Sequence, residues 1–164
     1  MPKTYEPIST QTLATTAASV EFTSIPGTYT DLILTYTGTK NQTNTGIQFN
    51  NDTATNYSYQ RLFGEPLGVS ADTATNQSYI TTVIDSGGRT NVLTHINNYA
   101  NTTMYKTVIS TGVTNSADAV RYNTTLVSGM WRSTTAITSV KVIRQGLVNF
   151  SAGSIFTLYG IKAF

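Results

Sequence analysis

Apolar residues in this chain never recur at i, i+3, i+4 and i+7 over three turns; they alternate with polar ones in short runs punctuated by turn signals. A period of two places alternate side chains on opposite faces of a strand, so the pattern predicts an all-β protein. Residues 19–25 alternate around Val20 and Phe22 and stop at Pro26-Gly27, a strong turn pair. Within 29–37, Leu32, Ile33 and Leu34 form a continuous apolar run, which predicts a strand covered on both faces. Further runs fall at 46–49, 57–63, 79–84, 92–99, 104–109, 120–131, 136–143 and 155–161. In 92–99, Val92, Thr94 and Ile96 share one side, opposite Leu93, His95 and Asn97. About nine or ten strands in 164 residues suit one antiparallel β-sandwich, jelly-roll-like, over residues 16–164, preceded by an extended segment at 1–15.

Composition agrees and narrows the function. Thr supplies 32 residues, and its branched side chain favours strands. Only 11% of residues are charged, against roughly 25% in an average soluble domain. The ten Lys and Arg are scattered between Lys3 and Lys162, with no basic cluster, so nucleic acid is not an expected partner. No apolar run reaches the ~20 residues of a membrane helix, and the N-terminus lacks the apolar core of a signal peptide, so no membrane partner is expected either.

Catalysis needs titratable groups gathered in one place, and the sequence offers few. His95 is the single histidine and lies in a strand-like run; no Gly-x-Ser-x-Gly elbow exists to expose a nucleophile. Without cysteine and with one histidine, thiolate or paired-histidine metal sites are excluded, and no cofactor is expected. The eight carboxylates are isolated in sequence, except that Asp52 and Asp72 open matching stretches, DTATNYSY and DTATNQSY, twenty residues apart. The simplest reading is Asp-Thr turn chemistry feeding a Tyr-containing strand, used twice. No enzymatic activity is expected.

Four stretches, in order, carry a resemblance: FTSIPGTYTDL from Phe22 to Leu32, INNYANTTMYKT from Ile96 to Thr107, WRSTTAITS from Trp131 to Ser139, and FSAGSIFTLYGIK from Phe150 to Lys162. Together they resemble small virion structural proteins of tailed phages, notably those infecting cyanobacteria and other aquatic bacteria. The resemblance implies a component of the virion whose partners are other virion proteins, the major capsid protein or tail proteins, and copies of itself as a homo-oligomer, with a trimer as the expected form. A compact domain without a repetitive shaft suits a capsid decoration (cement) protein better than a fibre. The alternative is a tail-fibre or receptor-binding module that recognises a host surface glycan.

Each reading nominates residues. The N-terminal segment is the candidate clamp, with Tyr5, Pro7, Ile8 and Leu13 as assembly contacts; Pro2 and Pro7 keep it out of a central strand. Its other reading is the first strand of the chain's own sandwich. For the glycan alternative, Tyr57, Tyr59, Tyr79 and Trp131 are the rings expected to face a sugar.

Overall fold

A computed structural model of the chain describes residues 4–39, 44–84, 88–115, 122–146 and 148–162. These residues form two antiparallel sheets packed face to face. Twelve strands are named in chain order: β1 (Tyr5–Thr12), β2 (Ser19–Phe22), β3 (Asp31–Thr39), β4 (Thr45–Phe49), β5 (Tyr57–Glu65), β6 (Gly68–Gln77), β7 (Ile80–Val83), β8 (Arg89–Asn97), β9 (Lys106–Asn115), β10 (Tyr122–Trp131), β11 (Val140–Arg144) and β12 (Ile155–Ile161). The larger sheet runs β1-β12-β3-β8-β9-β10-β5-β6 and the smaller β2-β11-β4-β7. The expected all-β sandwich is therefore present, with its strands divided unequally between the layers.

Alternation produces the core. β9 and β10 alternate buried and exposed along most of their length, and the buried set of the larger sheet meets Ile47, Phe49, Ile80, Val140 and Val142 from the smaller one. Leu32, Ile33 and Leu34 are all buried, as their continuous run predicted. Ile33 points away from the core but is flanked by its cross-strand neighbours Tyr159 and His95.

Part of the inter-sheet seam is polar, which explains buried threonine. Thr94 and Ser110 hydroxyls lie 2.8 Å apart, and Ser110 Oγ donates to the Thr82 carbonyl of β7 at 3.1 Å. Thr114 Oγ1 donates to Ile84 O at 3.2 Å and Thr82 Oγ1 to Thr45 O at 3.1 Å. Ser110, Thr114 and Thr82 each satisfy a carbonyl and Thr94 pairs with Ser110, so these hydroxyls avoid the desolvation penalty of an unmade bond.

β7 approaches the larger sheet closely because glycines face it. A Cβ on Gly112 would lie 2.5 Å from Val83 Cγ2 and 3.0 Å from Val83 Cβ, and one on Gly129 would lie 2.5 Å from Ile80 Cγ2. Gly112→Ala is expected to lower unfolding free energy by about 1–3 kcal/mol through overpacking. Gly64→Ala, where nothing lies within 4 Å, should be neutral. Urea midpoints of the two variants check this; equal midpoints would show that β7 can move aside.

Several boundaries differ from expectation. Residues 136–139 are not strand, because other partners take their backbone groups. Asn50 Oδ1 accepts from Thr138 N at 2.8 Å and Ser139 N at 3.1 Å, while Ile137 N donates to Tyr99 O. β6 was not expected at all: the second DTATN stretch lies inside it, whereas the first forms the turn into β5. β9 starts at Lys106 and continues to Asn115, beyond the expected 104–109. Residues 120 and 121 of the expected 120–131 strand lie outside the described residues.

Candidate assembly surface

The smaller sheet packs against part of one face of the larger sheet; the other face projects side chains towards solvent. Cross-strand registers trace one row across all eight strands: Thr10, Thr157, Thr35, Leu93, Thr111, Leu126, Leu62 and Ala71. The rows on either side contain Val113 and Ile155, and Ile109 and Tyr159, respectively. None of these three rows contains Asp, Glu, Lys or Arg; His95 is their single titratable imidazole. Leu62, Leu93, Ile109, Val113 and Leu126 remain between 44% and 53% exposed.

Two grooves open to solvent run along this face. One, of about 510 Å³, is lined by Thr35, Asn91, Leu93, Thr111, Val113 and Leu126. The other, of about 420 Å³, is lined by Gln60, Leu62, Ala71, Leu126 and Ser128 together with the Arg61–Asp72 ion pair at the β5–β6 edge. A band of apolar and hydroxyl side chains without ions at its centre can dock against another protein without stripping water from charges there, which is the costly step at an interface. The surface was legible in part, because Leu93 lies out of phase with Val92 and Ile96 in β8. An apolar residue on both faces of a strand signals a second buried or partner-facing side.

The nominated clamp residues divide. Residues 5–12, expected within a separate extended segment, form β1 and pair with β12 from Tyr5↔Ile161 to Thr12↔Ile155, with a bulge between Pro7 and Ser9. Leu13 N donates to Ser154 O at 3.0 Å and Lys162 N to Thr4 O at 3.1 Å. Ile8 and Leu13 are half-buried and pack against this chain's own core. Tyr5 and Pro7 remain exposed.

The nominated sugar-facing rings are a correction. Tyr57 is fully buried, Trp131 is 2% exposed and Tyr59 9% exposed. Trp131 stacks near Tyr57, centroids 6.2 Å apart, and meets Phe49 at 5.6 Å. Strand alternation put all three rings on the inward face, so none can stack on an external sugar. Tyr79 is half-buried, and its ring lies against the site of Gly46.

The two matching stretches have different chemistry. Asp52 accepts from Trp131 Nε1 at 2.7 Å, Asn56 Nδ2 at 2.9 Å and Ala54 N at 2.9 Å. Burial raises its pKa, but the donors from Asn56, Trp131 and Ala54 together outweigh that and hold the carboxyl below the ordinary carboxylate range. Asp72 instead forms a bidentate pair with Arg61, whose Nε donates at 2.7 Å. The Arg61 hydrogen bonds lower the Asp72 pKa, and Asp72 raises that of Arg61. Arg61 also lies 5.3 Å from the Tyr59 ring centroid and 5.9 Å from that of Phe63.

His95 is 3.3 Å from Asp31 Oδ2, and Asp31 Oδ1 accepts from Asn98 N at 2.7 Å. The Asn98 bond ties the loop after β8 to the start of β3, while His95 Nε2 makes no hydrogen bond among the described residues. Among the described residues no three His, Asp or Glu side chains converge as a metal site.

No protein-family model matches the chain, and no curated protein sequence matches it. Among solved structures, a proposed pore-forming toxin from Bacteroides vulgatus aligns at 13% identity over 85% of this chain and 60% of that one, with a TM-score of 0.13. This chain thus spans less than two thirds of that protein's length, and a score so low lies below the level that indicates a shared fold.

Proposed function

We propose that this chain is a non-enzymatic structural protein of a tailed-phage virion, a capsid decoration protein that docks on the head shell. The observation that carries the reading is the central band of the outer face of the larger sheet. Its three adjoining rows are without Asp, Glu, Lys or Arg and hold five half-exposed aliphatic side chains, with Asp31 and Arg89 at the margins of the band. A patch of that kind on a folded domain marks a surface that meets other protein. The resemblance of four ordered sequence stretches to phage virion proteins supplies the particle, with the major capsid protein as the partner. The glycan-binding alternative has lost three of the four rings that motivated it, since Tyr57, Tyr59 and Trp131 belong to the core.

Antibody labelling of intact particles under electron microscopy tests the proposal. Label spread over the head, near the copy number of the shell protein, is the expected result. Label confined to the tail, or absent from purified particles, overturns it. On the same particles, Leu93→Asp with Leu126→Asp is expected to abolish incorporation while circular dichroism of the free protein stays unchanged.

A further inference from the structure

The larger sheet has two edge strands, and they differ in kind. β1 is blunted by Pro7, which has no N–H to offer, and by the bulge that follows it. β6 is ten residues long, with no Pro, Lys or Arg; its own bulge and the positive-φ Asn76 lie beyond Ala74, and every residue from Gly68 to Thr73 is exposed. Among the described residues, no backbone bond is made to β6 from beyond β5 between Gly68 and Ala74. In the smaller sheet the edges offer less: β2 has four residues, and β7 is buried against the larger sheet. Natural proteins blunt, shorten or cover long edges, because an open row of N–H and C=O groups recruits another strand.

We infer that β6 is a self-pairing edge, where a second copy of this chain adds its own β6 antiparallel to form a twofold dimer with one continuous sheet. Charge permits this. The one ionised group on β6, Asp72, is already held by Arg61 of β5 within the same copy. A twofold centred on Thr73 sets Thr73 against its copy, Ala71 against Thr75 and Asp72 against Ala74. No carboxylates meet, and Thr–Thr is a favourable cross-strand pair. Edge inequality selects the partner: one open edge per chain gives closed isologous pairing, whereas two would give a head-to-tail filament. The charge-free row on the outer face ends at Ala71 of β6, so pairing there joins two such faces into one. The inference concerns the chain in solution and stands apart from the virion reading; a twofold dimer also differs from the expected trimer.

Sedimentation of the full chain across a concentration series tests it. The expected species has twice the 17.7 kDa chain mass, and Ala71→Lys with Thr73→Lys should weaken self-association about tenfold or more by setting like charges across the pair. Leu93→Asp, four strands from the edge, should leave the dimer intact. Hydrogen exchange of the unaltered protein gives a second readout, with amides of residues 69–74 protected when concentrated and exchanging freely when dilute. A chain that stays monomeric at millimolar concentration overturns the inference. So does a dimer that resists the lysine pair, or one whose 69–74 amides exchange alike at all concentrations; if the lysine variant does not fold, the exchange result decides.

Discussion

Trp131→Ala is expected to lower the unfolding free energy by about 3–5 kcal/mol. Trp131 ends β10 beside Tyr57 of β5 and Lys106 of β9, and its ring reaches across to Phe49 of the smaller sheet. It therefore joins both layers at one point. Truncation opens a cavity among Tyr57, Phe49 and their neighbours, and rings on two different sheets cannot both move to fill it. The indole N–H is also lost from Asp52, which keeps only the Asn56 and Ala54 donors. Since this is the chain's one tryptophan, unfolding should be followed by far-UV circular dichroism. A fall in urea midpoint at unchanged slope is the expected signature. A loss below about 1 kcal/mol would mean that Trp131 does not bridge the sheets.

How much of this was legible in the sequence depends on whether a residue's environment is local. The inward set of β8, the doubly covered Leu32–Leu34 run and the phase of β12 follow from period two alone, because burial alternates wherever one face meets a core. The two DTATN stretches show the limit. The first is a turn because Asp52 caps Ala54 N and binds Asn56 and Trp131; the second is a strand because Asp72 faces Arg61 on β5. Nearly the same residues take different structures through partners distant in sequence. The rings of Tyr57 and Trp131 failed as sugar contacts for a similar reason. Alternation placed them on one face, but only the position of Phe49 and the smaller sheet shows that this face is inside. The outer row is the converse case: its apolar members Leu93, Leu126, Leu62 and Ala71 lie on four different strands, and only cross-strand register unites them.

In alkali the fold should fail through its buried phenols. Burial pushes the Tyr57 hydroxyl far above its ordinary value, and burial also raises Tyr79 and Tyr99. Tyr57 Oη accepts from Phe49 N at 3.0 Å and donates to Asp52 O at 3.0 Å, so ionising it would remove the proton that the Asp52 carbonyl needs. A phenol whose folded pKa is raised contributes stability that is intact below the unfolded value of 10.0 and is lost as pH climbs from there towards the folded pKa. Lys106 acts in the opposite sense. It is 1% exposed, and among the described residues its ammonium donates to the Met104 and Thr134 carbonyls, at 3.0 and 3.1 Å. Burial lowers its pKa below 10.5, so deprotonation favours the folded state as pH approaches that value. Stability should thus hold or rise slightly up to about pH 10, then fall by ~1.4 kcal/mol per pH unit for Tyr57 alone. Urea midpoints from pH 7 to pH 11 measure the curve. Tyr57→Phe should reduce the slope above pH 10, while costing about 1–3 kcal/mol at pH 7 because Phe49 N–H and Asp52 C=O lose a partner. A midpoint that stays level to pH 11, or a slope that Tyr57→Phe leaves unchanged, would show that Tyr57 is not the group whose ionisation opens the fold.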